Sequence, residues 1–589
     1  MTADIEEANG AAAVAPPAQV QAEEGKGMGE KTEKKKKKLH GRAFYESIGS
    51  PKYVVAPMVD QSEFAWRMLT RSFIPESEQS DLLAYTPMLH ARLFHQDEKY
   101  RRAHFQATRP SDDGADNHGE TNNSEVAETG ESKEKQPWLD GNPALDRPLF
   151  VQFCANDPEH LLAAARHAAP HCDAVDLNLG CPQGIARKGR YGAFLQEEQG
   201  LIHRLISTLH RDLDVPVTAK IRILDDEAST LAYARNVLDA GASIITVHGR
   251  RREQKGHLTG LADWHMLRFL RDNLPPDTVI FANGNVLQGE DVERCLAATG
   301  ADGVMSAEGN LSDPAIFGRP PPPGEEGREY WRGRDGGLGG WRVDAVTRRY
   351  MDILHRYALE QDPPARKPLF VPSDEAADVE PATAETQEEE DNDDDGPPAK
   401  KQKMTTETAT TAGKKNSNNN NSGNGNNSNN KRPDANPNLS AVQPHLFHLL
   451  RHFVSRHTDV RDMLARAKRF PRLDGYEEVL AAVEQRVAEG LREYDRTGGA
   501  SWDDEVRDVM GREEGPEGES SVATIKRCKR PWWVVQPIVR PLPQEAMKKG
   551  AIRMSKKEIK AKEKKEAEEQ AEEKEKRQDI KERDQLVSG

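Results

Sequence analysis

The sequence predicts a (β/α)8 TIM barrel followed by a small all-α helical domain, with long disordered tails and insertions. Eight short apolar runs recur between residues 53 and 309, as in strands buried on both faces. Segments with helical patterning follow most of them, and eight such units over about 270 residues match the size of a closed parallel barrel. A doubly wound open sheet is the structural alternative. The runs are YVVAP at 53, LLAYTPM at 82, LFVQF at 149, AVDLNLG at 174, VTAKIRI at 217, IITVHG at 244, VIFANG at 279 and GVMSAEG at 303.

Composition limits the class of protein. The 589 residues are 31% charged and 36% hydrophobic, and no apolar run reaches the length of about 18 residues that a membrane span needs. The N-terminus lacks the pattern of a secretory signal. Five scattered cysteines, without zinc-ligand spacing, exclude a disulfide framework and predict no bound metal. We therefore expect a soluble intracellular protein. The net charge of −15 argues against a nucleic-acid partner, but acid and base are segregated along the chain.

Polar segments divide the chain into folded and disordered parts. They contain too few apolar residues to offset backbone ordering, which costs about 1–2 kcal/mol per residue. The predicted divisions are a disordered 1–44 with a basic run at 34–38, a barrel over 45–330 with a polar insertion at 108–142, a helical domain over 341–510 interrupted by a disordered 366–440, and a C-terminal basic, Trp-containing segment and charged tail over 511–589.

Helical periodicity supports the second domain. Apolar residues share one helical face in two stretches, and a third stretch, YEEVLAAVEQRVAEG, predicts a helix for which Gly490 is a plausible stop. The two faces are Val346, Tyr350, Ile353, Leu354 and Tyr357 in the first stretch, and Leu446, Leu449, Leu450 and Phe453 in the second.

Polar and glycine residues collect where the predicted strands end. In a parallel barrel the chemistry lies at the carboxyl ends of the strands, and a purely structural barrel has no reason to place such residues there. The positions are Pro57-Met58-Val59, Gln152, Asn178 to Cys181, Lys220 with Arg222, His248, Asn283-Gly284-Asn285 and Ala307-Glu308-Gly309.

The last two strand ends indicate a phosphate site, because loops after strands seven and eight of such barrels often bind phosphate. Ordinary strand-to-helix turns remain an equal alternative. Lys220 and His248 each end an apolar strand. A buried lysine is unfavourable unless it meets an anion, so a negatively charged cofactor or a salt bridge within the barrel would explain Lys220.

Cys181 differs from the other cysteines in its setting. Gly180 and Pro182 flank it and a Gly-rich basic loop follows, which favours an exposed, reactive thiol over a structural one. For Cys154, Cys172 and Cys295 we expect the usual role of a small buried apolar residue.

These motifs resemble the tRNA-dihydrouridine synthases, and most closely the eukaryotic subfamily that acts on D-loop positions 16 and 17. The similarity spans nearly the whole barrel, and the LNLGCPQ…YGAFL stretch is its most specific part. The matching segments are APMVDQSEFAWR, YTPMLH, VQFCANDP, DAVDLNLGCPQGIARKGRYGAFL, AKIRI, VHGR, FANGN and MSAEGN.

The resemblance implies an FMN enzyme that reduces uridine in tRNA to 5,6-dihydrouridine with NADPH or NADH as reductant. Hydride would pass from reduced FMN to uracil C6, and Cys181 would give a proton to C5. An unperturbed cysteine thiol, with a pKa near 8.5, is mostly protonated at pH 7 and can act as such an acid. The residues implied to bind FMN are Pro57, Met58, Val59, Gln152, Lys220, His248, Asn283, Gly284, Asn285, Ala307 and Glu308.

The same resemblance places RNA contacts around the predicted site and on the helical domain. Asn178, Arg222 and the basic loop of Arg187, Lys188 and Arg190 would contact the flipped-out uridine and nearby phosphates. Arg251 stands where relatives usually carry a small hydroxyl residue, which leaves its role open. The basic stripe expected on the helical domain comprises Arg451, Arg456, Arg461, Arg466, Lys468 and Arg469, with a solvated helix face as the alternative.

Other interpretations stay open at this point. The segment with Trp532 and Trp533 could pack on the fold, stack on RNA or bind a partner. The barrel could instead belong to an FMN reductase of a small pyrimidine or enone, or to a catalytically dead RNA-binding protein. Activity on free uracil would favour the first alternative. The run at 34–38 and the motif PPAKKQK predict a cytoplasmic and/or nuclear protein, which we expect to be monomeric.

Overall fold

Eight parallel strands close into a barrel in the computed structural model. The strand β1 (Tyr53–Val55) pairs with both β2 (Leu82–Tyr85) and β9 (Gly303–Ser306), and β2 also pairs with β4 (Leu149–Cys154). The ring therefore has no open edge, and the open-sheet alternative is excluded. A ninth, two-residue strand, β3 (Leu89–His90), extends the pairing at the end of β4. The predicted barrel is thereby confirmed. The residues that the structure describes are 38–109, 136–256, 259–334, 339–374, 436–470, 472–502 and 530–538.

The strands and the helices around them alternate as the sequence predicts. The strands are β1 (Tyr53–Val55), β2 (Leu82–Tyr85), β3 (Leu89–His90), β4 (Leu149–Cys154), β5 (Ala174–Leu179), β6 (Val217–Arg222), β7 (Ile244–His248), β8 (Val279–Asn283) and β9 (Gly303–Ser306). The helices of this part are α1 (Gly41–Ser47), α2 (Phe64–Arg71), α3 (Ala91–Gln96), α4 (Glu98–His104), α5 (Pro158–Ala168), α6 (Gly184–Gly189), α7 (Gln199–Asp212), α8 (Glu227–Asp239), α9 (Trp264–Asn273), α10 (Gly289–Thr299) and α11 (Glu308–Ser312).

The amino-terminal end of the barrel is closed by α1. Phe44 stacks on Phe150, and the Tyr45 hydroxyl donates to the carbonyl oxygen of Asp302 at 3.2 Å. Both aromatic side chains are buried in the cluster that fills the barrel interior. We expected disorder through residue 44, and this boundary is wrong because two aromatic residues in a polar stretch suffice to hold the helix against the barrel.

The helical region follows the barrel. A small antiparallel pair, β10 (Tyr330–Trp331) and β11 (Gly340–Trp341), leads into it. Val346, Tyr350 and Leu354 are fully buried, as the predicted helical face requires. The elements are α12 (Val343–Ile353) with a π-helical extension (Leu354–Ala358), α13 (Pro437–Leu449), α14 (Arg451–Arg456), α15 (Thr458–Ala467) and α16 (Asp474–Arg496). Among the described residues, none of the helices has the length and apolar character of a membrane span.

A buried polar cluster joins the helical region to the barrel. His445 of α13 stacks on Trp66 of α2 with ring centroids 3.9 Å apart, and its Nε2 lies 3.0 Å from both carboxylate oxygens of Glu63. The Tyr350 hydroxyl also donates to Glu63. These four side chains are buried, so the contact fixes α13 and α12 on α2, the helix that follows β1.

The helix α16 runs through Gly490 to Arg496, so the predicted stop at Gly490 is wrong. A Cβ atom at Gly490 would lie 2.5 Å from Cζ2 of Trp532. The glycine therefore makes room for the segment 530–538, in which Trp533 is buried against the helical region. Of the three roles left open for the two tryptophans, packing on the fold is the one observed.

The insertions are ordered at their edges. Asp140, within the predicted insertion 108–142, is buried and pairs with Arg67 at 2.7 Å. Likewise, Leu369 is buried and α13 begins at Pro437, so order extends into both ends of the predicted 366–440 segment. The basic run at 34–37, the PPAKKQK motif, the Asn-rich tract and the charged tail lie outside the described residues.

Candidate active site

Hydrogen bonds to its backbone hold the loop that carries Cys181. The Cys181 N–H donates to Asn178 Oδ1 at 2.9 Å, and the Cys181 carbonyl accepts from the Ala193 N–H at 3.1 Å. Gly192 has φ of +65°, and a Cβ atom there would lie 2.8 Å from the Cys181 carbonyl oxygen. The glycine of the YGAFL motif is therefore needed for the chain to pass this close to Cys181.

Two cations hold the carbonyl groups on either side of Cys181. Arg222 Nε donates to the Gly180 carbonyl at 2.7 Å, and Lys255 Nζ donates to the Pro182 carbonyl at 2.7 Å. Arg222 Nη1 also donates to the carbonyl of Arg251. Sequence reasoning missed Lys255, because its contact spans two different loops of the barrel.

The thiol of Cys181 is partly exposed, whereas the other three described cysteines are buried as predicted. Burial raises the pKa of each of those three thiols to about 12, which keeps them protonated and inert. Among the described cysteines, Cys181 is thus the accessible thiol at the barrel mouth. The buried ones are Cys154, Cys172 and Cys295.

A chain of hydrogen bonds runs from the barrel interior to the Cys181 backbone. Thr218 donates to Asp176 Oδ1 at 2.7 Å, Gln152 Nε2 donates to Asp176 Oδ2 at 2.8 Å, and Asn178 Nδ2 donates to Gln152 Oε1 at 2.8 Å. Burial raises the pKa of the Asp176 carboxyl to about 6, against the opposing effect of its two donors. The sequence signal for Asp176 was an acid within the apolar run AVDLNLG.

Lys220 lies opposite Asn178 in the β5–β6 register. Its surroundings lower its pKa to about 8, first because burial disfavours the charged amine and then because Arg222 is close, while Asp176 and Cys181 act in the opposite direction. Among the described residues, no hydrogen bond or ion pair to Nζ is formed. An ammonium group in this setting is suited to an anionic or carbonyl acceptor.

The ends of β7 and β8 are tied together by a buried arginine. His248 lies opposite Asn283 in the strand register, and Arg250 contacts His248 Nε2 at 3.3 Å as well as the side-chain oxygen of Asn285. Asn283 Nδ2 donates to the Met305 carbonyl at 3.0 Å. Arg250 was missed in the sequence, where it reads as one of three consecutive arginines.

The turn after β8 has the features of an anion site. Gly284 is buried with φ of +114°, and among the described residues neither its N–H nor that of Asn285 donates a hydrogen bond. Buried N–H groups without acceptors are unfavourable unless a ligand accepts from them. The predicted partners Ala307 and Glu308 lie at the start of α11, after β9, which pairs with β8. The residues present therefore fit a phosphate group.

The remaining predicted residues lie around the same mouth. In the loop after β1, the Met58 N–H donates to Ser62 Oγ at 3.1 Å, and Val59 is exposed. The basic residues Arg187, Lys188 and Arg190 are exposed on and after α6, next to the Cys181 loop. Arg190 pairs with Glu198, and both side chains are exposed.

Comparison with known proteins supplies the family. The profile described as dihydrouridine synthase (Dus) matches residues 54–329. The tRNA-dihydrouridine(16/17) synthase (NAD(P)(+)) of Schizosaccharomyces pombe is 37% identical over 86% of this chain and 92% of its own length. The chain belongs to the dihydrouridine synthase family. The Saccharomyces cerevisiae synthase of the same name is 55% identical over 48% of this chain and 57% of its own length.

A mammalian relative is matched over a smaller share of the chain than the S. pombe protein. The Rattus norvegicus protein named tRNA-dihydrouridine(16/17) synthase-like is 45% identical over 50% of this chain and 58% of its own length. Of the three relatives, two are therefore matched over little more than half their length. Among solved structures, mandelate oxidase with benzoyl-formic acid is 16% identical over 45% of this chain and 67% of its own chain. The TM-score is 0.27, which is too low to support a conclusion about fold or function.

Proposed function

We propose that this chain reduces uridines of tRNA to 5,6-dihydrouridine with NAD(P)H, using FMN bound at the mouth of the barrel. The observation that carries the proposal is the partly exposed Cys181 thiol on a fixed loop, within electrostatic reach of Lys220. The printed names of the S. pombe and S. cerevisiae relatives give the substrate class, the nicotinamide reductant and positions 16 and 17.

The residues at the strand ends would hold FMN. The N–H groups of Gly284 and Asn285, with the start of α11, would bind its phosphate. Lys220 would place a positive charge against the ring system, where it favours negative charge. When bound, FMN supplies hydride to the substrate after reduction by NAD(P)H. The other residues proposed to contact it are Pro57, Met58, Val59, Gln152, His248, Asn283, Ala307 and Glu308.

Cys181 would hold the proton that uracil C5 receives. Its carbonyl and N–H and both flanking carbonyl groups are engaged, so the thiol is presented at a fixed place. Positioning of this kind is what general acid catalysis requires. The Asn178 side chain accepts a hydrogen bond from the Cys181 N–H and donates one to Gln152. These two bonds link the loop to the barrel interior.

The substrate RNA would contact cations on both parts of the chain. Arg187, Lys188 and Arg190 lie beside the Cys181 loop, and the six residues of the predicted basic stripe on α14 and α15 and just beyond are all exposed. Exposed cations favour a phosphate-rich partner. We keep Arg222 among the proposed substrate contacts, although its guanidinium already holds two backbone carbonyls. The compartment and the monomeric state stay predictions.

The proposal is tested with the purified full chain, FMN, NADPH and an unmodified tRNA transcript. Nucleoside mass spectrometry should show dihydrouridine, and mapping should place it at positions 16 and 17. Reduction of free uracil in place of tRNA would favour the small-molecule reductase. Binding of tRNA without any turnover, in a protein that retains no flavin, would favour the dead RNA-binding barrel.

A further inference from the structure

Several large apolar side chains that follow barrel strands in the sequence are exposed. Among the described residues seven such side chains are exposed, and four of them follow the carboxyl ends of β1, β3, β5 and β7. The most exposed is Ile185, at 68%. Ile185 differs from the others in lying close to Cys181 in the loop after β5, at the end of the barrel where the ligands of such barrels bind. The four are Val59, Leu93, Ile185 and Leu261.

Ile185 is presented by a short helix that is anchored beside Cys181. Ala186 is fully buried and packs with Tyr191 and Cys154, in a cluster that Cys181 also contacts. The Tyr191 N–H donates to the Ala186 carbonyl at 3.1 Å, which ties the end of α6 back to its beginning. The isoleucine thus stands on a fixed support, four residues from the proposed proton donor.

The charges around Ile185 point to RNA as the occupant. The sequence of α6, GIARKG, has two cations and no acid, and Lys188 lies three residues from Ile185, on the same face. Cations beside an exposed aliphatic residue suit a polyanion that also presents apolar base faces. An acidic protein would also meet these cations, but RNA accounts for the cations through its phosphates and for the adjacent aliphatic side chain through its base faces.

We propose that Ile185 is an apolar wedge that fills the place of the target uridine in the RNA stack. A uracil can reach Cys181 only after it leaves its stack, and that leaves the neighbouring base without a partner. Inserted aliphatic side chains cover such bases in other nucleic-acid complexes. The inference rests on the proposed function and assigns Ile185 a role in substrate recognition.

The test compares Ile185→Ser with Ile185→Leu and with the matched control Leu39→Ser. Leu39 is 47% exposed but lies at the opposite end, where the adjacent His40 contacts Ser243 just before β7. The kcat/KM for dihydrouridine formation in a tRNA transcript should fall about tenfold in Ile185→Ser. It should stay near wild type in the other two variants.

A second measurement separates a wedge from a general defect. A transcript with 2-aminopurine beside the target uridine should fluoresce more on binding, because the probe is unstacked, and Ile185→Ser should reduce that increase. Unchanged kinetics, an unchanged fluorescence increase, or an equal loss in Leu39→Ser would each overturn the proposal. If the wild-type chain forms no dihydrouridine, the proposed function itself fails. That result differs from one in which the wild-type chain is active and Ile185→Ser has the same kcat/KM, which overturns only the wedge.

Discussion

Arg222 Nε donates to the carbonyl oxygen of Gly180 at 2.7 Å, which makes the arginine at the end of β6 a fixed support for the loop that follows the preceding strand, β5. With Lys255 on the Pro182 carbonyl, it leaves the peptide groups around Cys181 little freedom to rotate. The position of the thiol is therefore set by cations that do not themselves react.

Replacing Arg222 by methionine should lower the rate of dihydrouridine formation by about tenfold to a hundredfold. The Cys181 thiol would shift slightly, and a small displacement of a reacting group is enough to slow a reaction by that factor. Rates are measured on FMN-loaded protein with a tRNA transcript. The control is Arg268→Met, which removes an exposed ion pair with Asp272 on α9. Full activity in Arg222→Met would show that the loop holds its position without the guanidinium.

Replacing Cys181 by alanine should leave FMN bound and reducible by NADPH, yet lower dihydrouridine formation about a hundredfold or more, as expected for loss of a general acid. The measurements are the flavin spectrum and nucleoside mass spectrometry. Cys172→Ala is the control, since Cys172 is buried and its thiol protonated. A Cys181→Ala variant with wild-type turnover would remove the proton-donor role.

The affinity for FMN should depend on pH through Lys220. Its pKa near 8 means that the amine is charged below that pH and loses its proton above it. Because an acceptor on FMN favours the charged form, affinity should be constant below about pH 8 and fall above it, by up to about tenfold per pH unit.

Titration of FMN fluorescence at a series of pH values measures this dependence. In Lys220→Arg the side chain stays charged throughout, so the decline above pH 8 should disappear. In Lys220→Met affinity should be low at every pH. An identical pH profile in all three proteins would exclude Lys220 as an FMN ligand.

Replacing Gly490 by alanine should lower the melting temperature, although alanine is the better helix former by about 1 kcal/mol. The added methyl group would meet the ring of Trp532 at 2.5 Å, and overpacking of this kind typically costs about 1–3 kcal/mol. Gly200→Ala, where the nearest atom is a flexible arginine nitrogen at 3.7 Å, should instead be neutral or stabilising. Thermal unfolding followed by tryptophan fluorescence compares them, and equal stabilisation in both would contradict the packing.

The barrel and its strand-end residues could be predicted from the sequence because buried parallel strands give continuous apolar runs, and such a run shows where its strand ends. Asp176 stands out only as an acid within an apolar run and Thr218 does not stand out at all, so the sequence assigns neither residue a place in the hydrogen-bond chain. Lys255 and Arg250 act through contacts between loops that no local pattern reveals. At Gly490 the preference of glycine for helix ends predicted a stop, but the helix continues and the glycine instead makes room for Trp532.

The most direct test of the account is the visible spectrum of the purified protein without oxygen, followed through two additions. NADPH should bleach a flavin spectrum, and unmodified tRNA should then restore it, while free uridine should not. That sequence of changes would show the cofactor, the reductant and the RNA substrate in one experiment. A protein that holds no flavin, or reduced flavin that free uridine oxidises as readily as tRNA does, would contradict the account.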